Sequence, residues 1–377
     1  MGDINLNEIF ISCGEVSGDI YAGDLIRELL TLAPDLRVWG IMGPEGETAG
    51  GVAKWSYEEL KLMGIIEIIP ALPRLLRLIK NITSEVINSK PDAAVLIDSP
   101  DFNLLLASSL RKAGYAGKVI CLIPPTVWAW RAGRVTNLKR DFDLCLPLFS
   151  FEHKFLCDRG VNSLWKAHPL VHDLAKVRIS SEFVKRYGLE RVIALMPGCR
   201  RYDIDYHLDI LLETAKLLRE KSFVPVFSIA PGLTKNLADE LRTRVSACGF
   251  EYWEGEGREL MLGSLAVAGV SGTVAVEAML FERYMVVIYN MRKLNYVILK
   301  RLVHTTNISI PNMLTDRQVY PELLCDRATP ENIVNELDAY INDSKRRREI
   351  NESLLKAKSL MGDSNAAEFW AKSILSL

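Results

Sequence analysis

Short apolar runs alternate along the chain with longer stretches in which hydrophobic residues recur at helical spacing. The apolar runs are rich in Val, Ile and Leu, which is typical of strands buried in a parallel sheet. In the first half, the pattern predicts strands at Ile9–Cys13, Arg37–Met42, Ala93–Ile97, Lys118–Ile123 and Leu144–Leu146. It predicts helices at Ile20–Leu32, Pro73–Asn88, Phe102–Ala113 and Phe151–Asp158.

The same alternation restarts after Asp173. It predicts strands at Val192–Met196, Val224–Ile229, Leu265–Ala268 and Met285–Tyr289, and helices at Tyr206–Glu220, Thr234–Cys248, Thr273–Phe281 and Leu294–Val303. The fold class is therefore α/β, with two doubly wound, Rossmann-like domains in tandem. We assign residues 1–170 to the first domain, 171–345 to the second and 346–377 to a helical tail. The sequence does not decide whether that tail packs on the second domain, crosses back to the first, or joins a partner subunit.

Composition narrows the classes of function. The 46 Lys and Arg residues balance 47 Asp and Glu residues, so no global field draws the protein to nucleic acid. Seven scattered cysteines without a Cys-x-x-Cys pair favour a reducing compartment over a disulfide or zinc framework. The five histidines show no metal-ligand spacing, and no metal site is predicted. The first residues do not form a secretory signal, so we expect a cytoplasmic protein.

Two strand-to-loop junctions in the first hundred residues are the leading candidates for chemistry. Gly14–Asp19, which contains Glu15 and Ser17, follows the first strand, and Asp98–Asn103 follows the third. Ligands of parallel α/β sheets bind beyond the carboxyl ends of the strands, so these loops are expected to share one cleft. A carboxylate at the end of an apolar strand has a raised pKa, which suits Asp98 as a general base. Asp101 is expected to cap the following helix; both aspartates could alternatively be plain turn-formers.

Three further loops carry residues suited to sugars and anions. Trp128 and Arg131 follow another apolar strand and could hold a sugar ring or acyl chain, although packing of the indole explains them equally well. Arg200 and Arg201 follow a strand of the second half, where guanidinium groups suit a diphosphate. Ser271, Gly272 and Thr273 form a second loop-to-helix junction, with Glu277 one turn later in position to accept ribose hydroxyls.

The segment Leu62–Lys80 is dense in large apolar side chains with interleaved cations. It is too charged to span a bilayer, but its pattern suits a helix that lies on an anionic lipid surface. A core helix with snorkelling cations is the alternative. The residues expected to face lipid or acceptor are Met63, Ile66, Ile69, Arg74, Arg77 and Lys80.

Several motifs, taken in order, resemble the lipid-A-disaccharide synthase family. They are Gly14–Asp19, Met63-Gly64-Ile65 with Glu67, Ile97–Asn103, Val127–Arg131, His168–Val171, Pro197-Gly198 with Arg200, Ser271–Thr273 and Ile310–Leu314. Each motif is weak alone, but their joint order and spacing from about residue 8 to about residue 325 are specific.

The resemblance implies an inverting, metal-independent GT-B glycosyltransferase without a cofactor, peripherally associated with the inner membrane. The sequence leaves open whether the protein is a monomer or a homodimer. Its substrates would be UDP-2,3-diacylglucosamine as donor and 2,3-diacylglucosamine 1-phosphate as acceptor, and its products a β-1',6-linked disaccharide and UDP. Asp98 would be the base, with Glu15 and Ser17 beside it. The residues that would face UDP are Arg200, Ser271, Gly272, Thr273, Glu277 and Asn312.

The chain departs from the family pattern at Ala167, His172, Cys199 and Asp203, where Gly, Asp, Ser and Glu are usual. Two other functions remain open at this point. One is a related GT-B enzyme that acts on soluble UDP-N-acetylglucosamine, such as a 2-epimerase, which would not need the lipid-facing segment. The other is a lipid or nucleotide-sugar binding protein without turnover.

Overall fold

The computed structural model describes residues 6–60, 65–129, 131–291, 307–315 and 317–377, and of residues 65–71 only the helical backbone. The chain divides into two compact units, of which one comprises Met1–Pro169 with Asp363–Leu377 and the other Leu170–Gly362. The segment predicted to be a tail is thus split between the two units. The helix predicted at Leu294–Val303 lies outside the described residues.

The first unit is built on a parallel sheet in the order β3-β2-β1-β4-β5-β6. Its strands are β1 Glu8–Cys13, β2 Arg37–Met42, β3 Val52–Ser56, β4 Ala93–Ile97, β5 Lys118–Leu122 and β6 Leu144–Leu146. Its helices are α1 Val16–Leu32, α2 Pro44–Thr48, α3 Ile65–Ser89, α4 Pro100–Lys112, α5 Val135–Asp141 and α6 Ser150–Cys157, with Ala366–Leu375 from the end of the chain. Short 3-10 turns lie at Tyr57–Leu60 and Ala132–Arg134.

The second unit has a parallel sheet in the order β12-β11-β10-β7-β8-β9. Its strands are β7 Val192–Met196, β8 Val224–Ser228, β9 Glu251–Trp253, β10 Ala266–Val270, β11 Tyr284–Tyr289 and β12 Glu322–Leu324. The helices begin with α7 Pro169–Leu174, α8 Ser181–Tyr187, α9 Arg201–Glu220, α10 Lys235–Ala247, α11 Gly257–Leu262 and α12 Thr273–Leu280. Ile310–Leu314, Pro330–Asn342 and Ser344–Ser359 follow, with a 3-10 turn at Cys325–Arg327.

Both sheets have the same strand order when each is numbered from its own first strand, namely 3-2-1-4-5-6. This order is that of a Rossmann-like sheet, and the predicted fold of two doubly wound domains is confirmed. The order reverses between β1 and β4 in the first unit and between β7 and β10 in the second. Ligands of such sheets bind at this switch point, beyond the carboxyl ends of the strands.

The C-terminal helix Ala366–Leu375 completes the hydrophobic core of the first unit. Trp370 and Ile374 are almost fully buried in one cluster with β1 and α1 side chains. Tyr21 of α1 meets the Trp370 ring edge-on at 6.0 Å, and Asn365, which caps the helix, donates to Glu28 at 2.8 Å. Across the described ranges, no helix combines the length and hydrophobicity that crossing a membrane requires.

Candidate functional site

Asp98 lies at the switch point of the first sheet, directly after β4. Its backbone N–H donates to the carbonyl oxygen of Leu122 at the end of β5, at 3.0 Å. Asp98 and Ser99 have φ values of 51° and 43°. A non-glycine residue in the left-handed region costs about 1–3 kcal/mol, so two in succession persist only where surrounding interactions offset that cost.

Asn103 of α4 holds this strained turn in place. Its buried amide nitrogen donates to the carbonyl oxygens of Ile97 at 3.0 Å and Asp98 at 2.8 Å. Its amide oxygen accepts from the Ser12 hydroxyl of β1 at 2.9 Å. In the sequence analysis Asn103 appears only as part of a motif, and its role was not predicted. The feature that could have indicated this role is an amide side chain in the first turn of a helix that follows a candidate base.

The three residues predicted to be catalytic come together at this turn. Burial raises the pKa of the Asp98 carboxyl, and the negative charge of Glu15 raises it further. Hydrogen bonds from the Ser99 backbone N–H and the Ser17 hydroxyl oppose that rise. A β carbon at Gly14 would lie 2.0 Å from the Ser99 hydroxyl oxygen, so only glycine allows β1 to approach the turn so closely. An aspartate in this position is a stronger base than an exposed one.

The second carboxylate of the Gly14–Asp19 loop has a structural role. Asp19 is buried and accepts hydrogen bonds from the backbone N–H groups of Gly43 at 2.7 Å, Glu45 at 3.0 Å and Gly46 at 3.2 Å. It thereby satisfies the free donors at the start of α2. Sequence alone could not separate this buried residue from the exposed Glu15.

Asp101 does not cap α4 as expected. The helix begins at Pro100 with Ser99 as its N-cap, and no side chain caps it. The exposed Asp101 carboxylate instead pairs with Arg134 and, at 3.3 Å, with Arg131. These ion pairs connect the start of α4 to the loop that carries Trp128.

Trp128 is half-buried beside this loop. Its indole N–H donates to the Glu152 carboxylate at 2.8 Å, and its ring meets Phe151 edge-on at 5.0 Å. Packing therefore fixes one part of the indole, and the rest remains accessible. No sequence pattern connects Glu152 to Trp128.

The second unit contains a cavity of about 580 Å³ at the carboxyl ends of its central strands. Five of the predicted UDP-facing residues line it, namely Arg200, Ser271, Gly272, Thr273 and Glu277. Gly272 is the N-cap of α12, and no side chain caps that helix. The free backbone N–H groups and the helix dipole at this end suit an anionic group.

Glu277 is paired within this cavity with Arg258, which sequence reasoning missed. The Arg258 guanidinium lies 2.8 Å from the Glu277 carboxylate, and both side chains line the cavity. Burial raises the pKa of Glu277, and Arg258 opposes that rise. The ion pair with Arg258 therefore favours the ionised form of the half-buried Glu277, which can accept hydrogen bonds from a ligand. Among the described residues, no three His, Cys, Asp or Glu side chains are grouped so as to hold a metal ion.

The loop after β7 is shaped by Asp203. Its carboxylate accepts from the backbone N–H groups of Cys199 at 3.3 Å and Arg200 at 3.2 Å. Gly198 has a φ of 103°, and a β carbon there would lie 2.3 Å from that of Asp203. The loop thus needs both a glycine and a short acidic side chain.

Two residues predicted to face UDP have other partners. Arg201 does not line the cavity; its guanidinium forms ion pairs with Asp205 at 2.9 Å and Glu240 at 2.7 Å. Asn312 is buried, and its amide bonds to the backbone of Tyr320 and to Glu322. Both side chains thus have partners within the protein, and their contact with UDP remains a prediction.

The predicted lipid-facing segment is described in part. Met63 and the side chains of Ile66 and Ile69 lie outside the described residues. Along the rest of α3, Leu78 and Ile79 are buried in the core. The exposed side chains include Leu72, Arg74, Leu76, Arg77 and Lys80, so the solvent-facing side of this helix presents leucines and cations together.

Comparison with known proteins identifies the family. A family model described as lipid-A-disaccharide synthetase matches residues 9–373. The chain belongs to this family. A relative from Geobacter metallireducens named lipid-A-disaccharide synthase is 32% identical over 100% of this chain and 99% of its own length. One from Pseudomonas aeruginosa with the same name is 33% identical over 96% of each chain.

Solved structures agree with the family on the fold. UDP-GlcNAc 2-epimerase from Neisseria meningitidis superimposes with a TM-score of 0.67 over 98% of this chain and 100% of its own, at 13% identity. A glycosyltransferase from Rickettsia africae gives 0.57 at 11% identity, covering 98% and 99%. These superpositions show a shared GT-B architecture. At such low identities they carry no information about the substrate.

Two of the four departures from the lipid-A-disaccharide synthase pattern, Cys199 and Asp203, line the cavity, and one, His172, stands where a carboxylate is usual. Asp203 keeps the acidic function of the usual Glu with a shorter side chain. Cys199 replaces a hydroxyl by a thiol in the lining of the cavity. Ala167 is buried and His172 is exposed.

Proposed function

We propose that this protein joins UDP-2,3-diacylglucosamine to 2,3-diacylglucosamine 1-phosphate, and so forms the β-1',6 disaccharide and UDP. The observation that carries the proposal is the strained turn at Asp98, which holds a half-buried carboxylate with a raised pKa at a switch point. Membership of the lipid-A-disaccharide synthase family supports the choice of substrates.

In the proposed reaction, Asp98 takes the proton of the acceptor 6-hydroxyl as that oxygen attacks the anomeric carbon of the donor. The bond from this carbon to the diphosphate breaks, UDP leaves with the electron pair, and the configuration inverts. In the second unit, Arg200 and the start of α12 would stabilise the charge of the leaving diphosphate. Glu277 would accept the ribose hydroxyls, and the scheme uses no metal or cofactor.

The direct test incubates the purified protein with both acylated substrates and measures UDP release and disaccharide formation. In Asp98→Ala, turnover should fall about 100- to 10,000-fold, with UDP affinity unchanged because the cavity lies in the other unit. Full turnover in this variant would remove Asp98 from the mechanism. Conversion of UDP-N-acetylglucosamine without any acylated acceptor would favour the epimerase reaction instead.

We also propose that α3 rests on an anionic lipid surface, in keeping with a peripheral protein of the cytoplasmic side of the inner membrane. Leu72 and Leu76 are 45% and 51% exposed, one helical turn apart, and Lys80 continues that line. A groove of about 520 Å³ between α3 and α4, lined by Leu105 and Lys112 among others, extends this face. Apolar side chains flanked by lysines suit the boundary between acyl chains and anionic headgroups.

Vesicles with and without phosphatidylglycerol test this surface. Replacing Arg77 and Lys80 with Ser should weaken binding to anionic vesicles and remove its salt dependence, whereas Leu72→Ser with Leu76→Ser should weaken binding at every salt concentration. Lys372→Ser with Lys185→Ser serves as a matched control for lost charge. Unchanged binding in both test variants would contradict the proposal.

A further inference from the structure

A buried carboxyl group lies behind the loop that carries Trp128, and the proposed reaction does not use it. Glu152, the third residue of α6, is only 7% exposed. One carboxylate oxygen accepts from the Trp128 indole N–H at 2.8 Å, and the other accepts from the Phe149 backbone N–H at 3.2 Å. Burying a carboxylate is costly unless it is hydrogen-bonded, and the two partners of this one are the indole of Trp128 and the start of α6.

The loop that carries this indole is connected to the Asp98 turn and to the start of α4. The loop with Trp128 leaves β5 at Leu122, whose carbonyl oxygen accepts from the Asp98 N–H. At its other end, Arg131 pairs with Asp101, three residues after the proposed base. The indole therefore belongs to a loop that contacts the candidate site at both ends.

A row of aromatic rings packs against the indole of Trp128. Phe151 meets Trp128 edge-on at 5.0 Å and stacks on Phe149 at 5.5 Å. Phe149 in turn packs against His168 at 4.9 Å. Because Trp128 is half-buried, the rest of its ring is accessible to a ligand. An indole presented in this way is suited to the apolar face of a sugar ring.

The surroundings of Glu152 place the titration midpoint of its carboxyl group near neutral pH. Burial raises the pKa of Glu152 to about 7, although the Trp128, Phe149 and Leu148 N–H groups lower it. The nearby His168 imidazole is neutral, because burial lowers its pKa to about 3. An ionised carboxylate accepts a stronger hydrogen bond from the indole than a protonated one.

We propose that Glu152 is a positioning residue that sets the Trp128 indole as a wall of the acceptor-sugar site. This inference rests on the proposed function, because the acceptor is the acylated sugar phosphate named there. Glu152 acts through Trp128 and touches no substrate. Its loss should therefore weaken acceptor binding and leave donor binding alone.

Nitrogen-15 NMR of the indole N–H groups tests the pair independently of catalysis. The chain has seven tryptophans, and the signal lost in Trp128→Phe identifies the one of interest. In the wild type, this signal should move with pH around a midpoint near 7; in Glu152→Gln, the movement should disappear. A Trp128 signal that is indifferent to both pH and the substitution would overturn the proposal.

Steady-state kinetics then test the consequence for the acceptor. Glu152→Gln and Trp128→Phe should each raise the acceptor KM about tenfold, the worth of one charge-assisted hydrogen bond, with the donor KM within twofold. The double variant should be no worse than either single one, because both remove the same contact. Tyr115→Phe, which removes a buried hydrogen bond to the Pro91 carbonyl of the same unit, is the matched control and should change neither KM.

The outcomes separate the two proposals. A fully active wild type together with an unchanged acceptor KM in both single variants would overturn the role of Glu152 alone. A wild type that releases no UDP from the acylated substrates would overturn the proposed function and, with it, the acceptor assignment. Equal rises in the KM of donor and acceptor would mean a general loss of structure and would also count against positioning.

Discussion

Asn103→Ala tests how the proposed base is held. Asn103 makes three hydrogen bonds, of which those to Ser12 and the Ile97 carbonyl are buried and the one to the Asp98 carbonyl is partly buried. At about 1 kcal/mol net for each bond, their loss costs about 3 kcal/mol. Part of this is regained, because Asp98 and Ser99 can then leave the left-handed region, which costs at least ~1 kcal/mol per residue. We expect the free energy of unfolding to fall by only about 1 kcal/mol.

Turnover should respond far more strongly than stability. A displacement of a reacting group by about 1 Å costs on the order of 100-fold in rate, and relaxation of two backbone dihedral pairs moves the Asp98 carboxylate at least that far. The expected result is a kcat reduced about 100-fold. UDP affinity should not change, since Asn103 belongs to the first unit and the cavity to the second.

The assay combines kcat with both acylated substrates, calorimetric UDP binding and a thermal melt. Tyr115→Phe is again the matched control, because its hydrogen bond to Pro91 at 2.8 Å lies just before β4, at the end of the strand away from Asp98. It should lower the melting temperature by a few degrees and leave kcat within twofold. If Asn103→Ala reduced kcat no more than the control, Asn103 would not position the base.

Two more predictions follow from the pKa shifts. Glu15 raises the pKa of Asp98 and Ser17 lowers it. Glu15→Gln should therefore move the acid limb of the pH–rate profile to lower pH, and Ser17→Ala should move it to higher pH. Shifts of both variants in the same direction would contradict this prediction. Arg258 lowers the pKa of Glu277, so Arg258→Ala should favour the protonated carboxyl group. UDP binding should weaken about tenfold at neutral pH and recover in part at pH 9. Calorimetry at the two pH values measures this, and a loss of affinity that does not depend on pH would contradict the prediction.

The central strands of both sheets could be predicted from sequence because they are buried on both sides. Ala93–Ile97 and Val192–Met196 were predicted at the bounds that the structure has. The three strands that the sequence did not reveal, β3, β9 and β12, all lie at sheet edges. Exposed residues alternate along Val52–Ser56, so this strand lacks the continuous apolar run that marks its neighbours.

Residue type and position after a strand predicted which candidate residues lie together, but not the partners that hold them. Asp98, Glu15 and Ser17 share one turn as expected because they follow β4 and β1, which are neighbours. The partnerships of Asn103, Glu152 and Arg258 join positions that the sequence gives no reason to connect. Arg201 also follows a strand, as an anion-binding residue would, and its ion pairs with Asp205 and Glu240 could not be read from the sequence.

The position of the last helix has a consequence for biosynthesis. Trp370 and Ile374 fill the core of the unit that begins at the first strand, so a ribosome that has already made every strand of that unit has still not supplied its final layer. The unit synthesised first is thus completed last, after the whole second unit has emerged. A nascent chain stalled before residue 363 should carry a folded second unit beside a first unit that still exposes an apolar face.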